Sequence, residues 1–206
     1  MANEIMQKIE CEGGYYYKHP AATVDQGAVI GAETKIWADA HIFVAARIGA
    51  SCVLGAGVHV ESNVQLGSYS KVQRGVVLYN GVRTGDYVFF GPNATTTNDR
   101  NPRAFGDWEK EETIIGTGAS IGANATLIAG NEIGPLALVG AGAVVAKPVP
   151  GGQAVGGNPA EFMGWVDVSG HIVSKDQEIP SNIREMLDNP ELAIVKYLSR
   201  GNLVDR

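Results

Sequence analysis

The chain has 206 residues and a formal net charge of −6 at pH 7, with 45% hydrophobic and 18% charged residues. Lysine and arginine are dispersed along the chain, so the basic patch that nucleic-acid binding requires is missing and no nucleic-acid partner is expected. No signal peptide and no apolar run long enough for a membrane span are found, which predicts a cytoplasmic location.

Residues 1–22 are predicted to be an N-terminal cap. Tyr15, Tyr16 and Tyr17 precede a long repeat, and the open end of a repeat structure must be covered to protect its edge strands. We therefore expect these tyrosines to form an aromatic lid.

Aliphatic residues recur at every sixth position in two runs. They are Val24, Ile30, Ile36, Ile42, Ile48, Leu54, Val60, Leu66, Val72 and Leu78, then Ile115, Ile121, Leu127, Ile133, Val139 and Val145. A small residue usually follows four places later, as at Ala40 and Cys52; the two cysteines, Cys11 and Cys52, are too few for a disulfide framework. A period of six fits neither a helix nor a hairpin, so the sequence predicts an all-β solenoid whose short strands point one aliphatic and one small residue inward.

The repeat is interrupted twice. After Leu78 the phase is predicted to slip, with Val82, Val88 and Ala94 in a shifted frame, and residues 95–113 contain no hexad. Insertions in solenoids leave the coils as loops, often on the binding face, so residues 95–114 are predicted to be an ejected functional loop. A simple surface excursion is the alternative.

Beyond the repeats, the prolines of residues 147–152 are expected to stop the strands. Residues 166–173 alternate around Ser-Gly and predict a hairpin.

A helix is predicted from the cap Asn189 and Pro190 to a stop at Gly201. Its apolar stripe, which packs on the solenoid wall or on another subunit, consists of Leu192, Val195, Tyr197 and Leu198. The predicted divisions are 1–22, 23–160 for the solenoid and 161–206 for the C-terminal hairpin and helix.

Several segments resemble the hexapeptide-repeat acyltransferases, and within them the nucleotide-amino-sugar N-acetyltransferases of bacterial surface-polysaccharide synthesis, including lipopolysaccharide. The segments are HPAATVDQGAVIGAETKIW at 19–37, KVQ at 71–73, FFGPNATTTNDRNPRA at 89–104, GASIGANATLIAG at 118–130, GAGAVVAKPVP at 140–150 and GNPAEFMGW at 157–165. The resemblance implies a left-handed parallel β-helix, a homotrimer with active sites between subunits, acetyl-CoA as co-substrate, a nucleotide-sugar acceptor and no metal.

A trimer is also favoured by aromatic side chains that the repeat does not place inward. Trp37, Phe43, Tyr79 and Phe90 are predicted to lie on the outside, where a monomer would expose them.

The acceptor site is predicted in the loop and in one turn. By resemblance Asn98 and Arg103 hold the sugar or its phosphates, and Asp99 accepts a proton or orients the amine. Where similar enzymes read Gln-Asn-Asn, this chain has Gln73-Arg74-Gly75, so Gln73 and Arg74 are predicted to bind the substrate with a cation in place of amides. This substitution indicates a different sugar, a carboxylated sugar or a different acyl group.

The coenzyme is expected along a wall near the later coils. Ala123 and Ala141, eighteen residues apart, are predicted to offer stacked backbone groups to its pantetheine, with Lys147 at a phosphate and Asn158 in the family's closing turn.

His41 and His59 are also eighteen residues apart and are predicted to stack on neighbouring coils, with Val77 above. Either imidazole is a candidate general base, with His41 preferred because the amino-sugar branch also has histidine there. Two surface histidines are the alternative.

Three other functions share this architecture. Zinc-dependent carbonic anhydrases of the same fold need three histidines, but only His41 and His59 lie in the repeats. Hydroxyl acetyltransferases place a histidine in the loop, and this loop has none, which favours an amine acceptor. A non-catalytic scaffold would explain the repeats but not the loop.

Overall fold

The computed structural model describes residues 6–106 and 110–200. Within them the chain winds as a parallel β-helix in which successive short strands join three sheets in rotation. Sheet A contains β1 (Gln7–Cys11), β2 (Gly14–Lys18), β5 (Lys35–Ile36), β8 (Val53–Leu54), β11 (Lys71–Val72), β14 (Phe89–Phe90), β17 (Ser120–Ile121), β20 (Leu138–Val139), β22 (Gln153–Gly156), β23 (Glu161–Val166) and β24 (Ile172–Ser174).

Sheet B contains β3 (Thr23–Val24), β6 (His41–Ile42), β9 (His59–Val60), β12 (Val77–Leu78), β15 (Thr95–Thr96), β18 (Thr126–Leu127) and β21 (Val144–Val145). Sheet C contains β4 (Val29–Ile30), β7 (Arg47–Ile48), β10 (Gln65–Leu66), β13 (Val82–Thr84), β16 (Thr113–Ile115) and β19 (Glu132–Ile133). The helices α1 (Ser181–Asp188) and α2 (Pro190–Ser199) follow. No helix in the described part of the chain is both long and apolar enough to cross a membrane.

The sixfold aliphatic positions form the core, as predicted. All of them are buried except Val24, which lies half-buried in the first coil. Up to the insertion, strand partners in the coils are eighteen residues apart, for example Ile36 with Leu54, so each side chain stacks on the one below. Cys52 fills a small-residue position with no exposed surface, and burial raises the pKa of its thiol from 9.0 to about 11, which fits a structural role.

The predicted phase slip after Leu78 is wrong. Lys71 pairs with Phe89 and Val77 with Thr95, so the eighteen-residue register continues. Thr84, Phe90 and Thr96 occupy the sixfold positions, while Val82, Val88 and Ala94 occupy the small-residue positions. A threonine serves inside the solenoid because its hydroxyl binds the backbone: the amide of Tyr79 donates to Thr96 Oγ1 at 2.8 Å.

The same register corrects the position of Phe90, which is buried in the core and not on the outside. Trp37 and Phe43 are half-buried, and Tyr79 is exposed. Three of the four aromatics therefore remain candidates for an external contact.

The ejected loop is an insertion of thirteen residues. Phe89 pairs with Ser120, a separation of 31 residues in place of the 18 between Lys71 and Phe89. The ends of the predicted loop at 95–114 are strands, since Thr95–Thr96 belongs to sheet B and Thr113–Ile115 to sheet C. The loop thus leaves the solenoid between sheets B and C.

Both ends of the solenoid are covered. The antiparallel hairpin of β1 and β2 lies on the first coil; of the three tyrosines predicted as a lid, Tyr16 is buried, Tyr17 is half-buried and Tyr15 is exposed. The prolines of residues 147–152 do not end the ladder, because Val149 bridges to Ile133 and β22 pairs in parallel with β20. A proline lacks only the N–H donor, so its neighbours still pair. The predicted hairpin is confirmed as β23 and β24.

The C-terminal helix begins as predicted, since the Asn189 side chain accepts from the Leu192 amide at 2.9 Å. Gly201 lies outside the described residues. Of the predicted apolar stripe, Tyr197 and Leu198 are half-buried and Leu192 and Val195 are exposed, while Ile194, which was not predicted, is the buried residue. Ile194 packs where Gly118 leaves space, because a Cβ at Gly118 would lie 2.8 Å from Ile194 Cδ1.

Candidate functional site

The solenoid has three edges, which we name by the sheets they join. Edge AB carries the turns that lead from sheet A to sheet B, and edge BC carries those from sheet B to sheet C. Face B is the outer surface of sheet B between these two edges. The residues predicted for the site lie on face B and on its two edges.

His41 and His59 are paired in sheet B, as predicted, and Val77 pairs with His59 in the next coil. Their ring centroids are 6.3 Å apart. His41 Nε2 lies 2.9 Å from Asp25 Oδ1, and its ring stacks on Phe43 at 3.8 Å. A histidine that donates from Nε2 to a carboxylate keeps Nδ1 as the proton acceptor. The Asp25 carboxylate therefore fixes the orientation of the His41 ring and leaves Nδ1 as its acceptor atom.

Asp25 was missed by the sequence analysis. It lies sixteen residues before His41, not in the eighteen-residue ladder, so the repeat gives no signal for the pair. The hydrogen bond between Asp25 and His41 depends on the orientation of two side chains in neighbouring coils.

The loop begins at edge BC and is held by its own backbone. The Glu111 amide donates to the Asn98 carbonyl at 3.1 Å, which closes the base of the loop. Asp99 Oδ1 accepts from the Asn101 amide at 2.8 Å, as in an ordinary turn. Arg103 is exposed and donates to the Pro102 carbonyl at 2.8 Å. The predicted catalytic and sugar-binding roles of Asn98, Asp99 and Arg103 remain predictions.

Arg100, which the sequence analysis did not select, anchors the loop. Its guanidinium donates to the Ala129 carbonyl at 3.0 Å and lies 3.8 Å from the Glu111 carboxylate. The loop is thereby fastened to the next coil of the solenoid.

The loop and the histidines are not adjacent within one chain. In sheet B, Thr95 follows Val77 and His59, so it is two coils from His59 and three from His41. With about 4.8 Å between coils, the base of the loop is roughly 10 Å from the His59 coil and 14 Å from the His41 coil.

Edge AB carries a strip of bare backbone. Its first turn position holds glycine in the four later coils, namely Gly91, Gly122, Gly140 and Gly156. A Cβ at Gly91 would lie 2.5 Å from the Ala123 amide nitrogen of the next coil, so only glycine fits this stacking. The next position holds the small residues Ala123 and Ala141, and a 2.8 Å hydrogen bond from the Gly142 amide to the Ala123 carbonyl joins their two coils.

The predicted coenzyme residues divide between the two edges. The Val144 amide donates to the Gly157 carbonyl at 2.9 Å, which brings the turn containing the exposed Asn158 beside Ala141 on edge AB. Lys147 is exposed and lies two residues beyond β21, on edge BC. Ala123, Ala141 and Asn158 are therefore brought together, and Lys147 is separated from them by the width of face B.

A cavity of about 480 Å³ lies on edge AB below the bare strip. Gln73 and Arg74, the turn predicted to bind substrate, line it. Its other lining residues, which the sequence analysis did not assign to a site, include His19, Trp37, Val53 and Gly55.

A family model described as the hexapeptide repeat of succinyl-transferase matches residues 45–80 and 112–147. These segments contain the coils described above. Both matched segments of this chain therefore contain the hexapeptide repeat. Within residues 6–106 and 110–200 of this hexapeptide-repeat protein, no group of three or more His, Cys, Asp or Glu side chains suited to a metal is found.

Two curated relatives of this hexapeptide-repeat chain are acetyltransferases. The dTDP-3-amino-3,6-dideoxy-alpha-D-galactopyranose 3-N-acetyltransferase of Aneurinibacillus thermoaerophilus is 48% identical over 65 residues, 32% of this chain and 31% of that protein. Serine acetyltransferase 4 of Arabidopsis thaliana is 31% identical over 136 residues, 63% of this chain and 34% of that protein. The matches therefore span about a third of each relative, 31% and 34%.

A solved structure of similar fold is the D94A mutant of AntD, an N-acyltransferase from Bacillus cereus in complex with dTDP and coenzyme A. It is 13% identical, with a TM-score of 0.52 over 72% of this chain and 80% of that one. At this identity the likeness shows the parallel β-helix alone.

Proposed function

We propose that the protein transfers the acetyl group of acetyl-CoA to the amine of a nucleotide-linked amino sugar. The supporting observation is edge AB, where a strip of bare backbone leads into a cavity lined by Gln73 and Arg74. The strip offers an extended amide-bearing chain a surface without side chains. The cavity at its end offers a place for the acceptor, in a cytoplasmic enzyme of surface-polysaccharide synthesis.

The reaction needs one proton acceptor. The neutral amine attacks the thioester carbonyl, a C–N bond forms, the C–S bond breaks, and the thiolate leaves as coenzyme A. The amine must lose a proton during this step, and a positioned imidazole with a pKa near neutrality suits that task. His41, held by Asp25 with Nδ1 as the proton acceptor, is the base that we propose.

The two halves of this site lie on opposite edges of face B. The bare strip and the cavity are on edge AB, whereas Asp25, Phe43 and the loop are at edge BC. A ring of three chains with face B toward the axis would place edge AB of one copy beside edge BC of the next. We therefore propose a homotrimer in which each site uses residues of two copies.

Face B has the composition of an interface. Its outward strand positions carry no lysine, arginine, aspartate or glutamate; they hold Thr23, His41, His59, Val77, Thr95, Thr126 and Val144. Sheet A presents Lys35 and Lys71 outward, and sheet C presents Arg47, Arg83 and Glu132. Depletion of charged residues is typical of the centre of an interface.

Val77→Arg is expected to give a monomer, because a desolvated guanidinium in the middle of face B has no partner. Light scattering would report 21.7 kDa for the variant and three times that mass for the wild type. Ile114→Arg, on the outward side of sheet C, is the matched control and should remain trimeric. A wild-type monomer would contradict the shared site.

Ala141→Trp is expected to abolish coenzyme A binding, since Ala141 is exposed on the bare strip and an indole would cover it. The measurement is isothermal calorimetry with coenzyme A. Thiol release with acetyl-CoA and a panel of dTDP- and UDP-linked amino sugars then tests turnover.

Ala50→Trp, on the edge between sheets C and A, serves as the control and should bind coenzyme A normally. Unchanged binding by Ala141→Trp would remove the coenzyme from edge AB.

A further inference from the structure

The cavity on edge AB exists because one glycine lies between two large side chains. His19, Trp37, Gly55 and Gln73 follow one another at the same turn position in successive coils, as the pairings of the preceding strands establish. Gly55 therefore leaves a notch between the Trp37 ring and the Gln73 side chain. A Cβ at Gly55 would lie 2.7 Å from the Arg74 amide nitrogen, so the coil geometry itself keeps this notch open.

The walls of the notch are small or apolar. Ala38 and Ala56 flank it, and Val53 reaches it from the outer side of sheet A. Its volume of about 480 Å³ lies within the 300–1,000 Å³ usual for pockets that hold small molecules. A sugar ring has the flat apolar face that such walls and a tryptophan ring accommodate.

The polar groups of the cavity are donors or neutral amides. Arg74 is exposed and supplies the guanidinium, and Gln73 is uncharged. His19 accepts the Ala21 amide at Nδ1, 3.1 Å away, so its Nε2 carries the remaining ring hydrogen. The lining contains no aspartate or glutamate.

The Arg74 guanidinium has no salt bridge or hydrogen bond to another residue of the described segments. By contrast, Arg83 pairs with Glu112 and Arg100 with the Ala129 carbonyl. The donors of Arg74 are thus available to a ligand in the cavity.

We propose that Arg74 binds a carboxylate on the acceptor sugar, so that the substrate is a nucleotide-linked amino sugar with an acidic group. This inference rests on the proposed function. A guanidinium fork matches the two oxygens of one carboxylate. The diphosphate of the nucleotide carries more charge and is usually held by several cations or by clustered backbone amides, whereas this cavity provides one guanidinium beside the side chains of Gln73 and His19 and apolar walls.

The test uses two nucleotide-linked amino sugars that differ only at C6, a carboxylate in one and a hydroxymethyl group in the other. The wild type is expected to prefer the carboxylated sugar by about 30-fold in kcat/KM, the size of a charge-assisted hydrogen bond. Arg74→Gln should remove this preference, and Arg74→Lys should keep part of it because the charge remains without the fork. Arg47→Gln, an exposed position on sheet C, is the matched control and should retain the full preference.

Calorimetry with the same two sugars and with dTDP or UDP alone separates the possible failures. Loss of affinity for the carboxylated sugar in Arg74→Gln, without any turnover by the wild type, supports the anion site and refutes the acyl transfer. Equal kcat/KM for both sugars in the wild type refutes the carboxylate while leaving the acyl transfer in place. An equal loss of affinity for the nucleoside diphosphate alone assigns Arg74 to the diphosphate and overturns the proposal.

Discussion

Ile115→Asp is expected to cost about 4 kcal/mol or more of unfolding free energy, the range for a buried charge without a partner. Ile115 is fully buried in the coil that follows the loop insertion. Its stacked neighbours, Thr84 in the preceding coil and Ile133 in the following one, cannot move apart without breaking the backbone pairing of the coils. Urea unfolding followed by circular dichroism would measure the change.

Ile114→Asp provides a control with the same residue exchange one position away. Ile114 is 39% exposed on the outside of sheet C, so its substitution should change the stability by no more than about 0.5 kcal/mol. Similar losses in the two variants would show that the inward assignment of the repeat is wrong after the insertion.

The second large effect is expected for His41→Asn, which should lower kcat by about 10²-fold or more if the imidazole accepts the proton of the amine. The rate of an enzyme with a histidine base decreases at low pH because the imidazole becomes protonated, and this decrease should be absent from the pH–rate profile of the variant. Asp25→Asn keeps the shape of the pair but not its charge, and should give a smaller loss of kcat than His41→Asn. Coenzyme A affinity should not change in either variant.

His59→Asn is the appropriate comparison, since His59 lies in the next coil of the same sheet and its ring lies near those of His41 and Phe43. A smaller loss there than at His41 is the expected result. Near-normal activity of His41→Asn would instead mean that Asp99, water or the departing thiolate takes the proton.

Much of the solenoid was predictable because the six-residue period occurs many times, so a deviation in one coil does not hide it. The sixfold aliphatics, the stacked histidines and the stacked pair Ala123 and Ala141 all follow from counting, and the structure places them accordingly. Counting apolar residues failed at Thr84 and Thr96, which occupy inward positions. Threonine is not counted as apolar, but these two hydroxyls accept hydrogen bonds from backbone amides and so can occupy the core. The same error misplaced Phe90.

Side-chain directions were beyond the sequence. The hydrogen bond between Asp25 and His41 depends on the orientation of two side chains. The notch at Gly55 depends on the side chains that line the cavity around this glycine. Helix α1 was missed because Pro180 at its N-cap position offers no side-chain cap and its first turn has no acidic residue. The separation of Lys147 from Asn158, in contrast, could have been counted from the strands that precede them.

The insertion at edge BC leaves the coils below and above it in one uninterrupted register, with Thr96 stacked directly under Leu127. The coils thus keep their register around an inserted segment that contacts them at its base and through Arg100. Such a segment is modular: it can be shortened, lengthened or grafted from a relative while the parallel ladder persists.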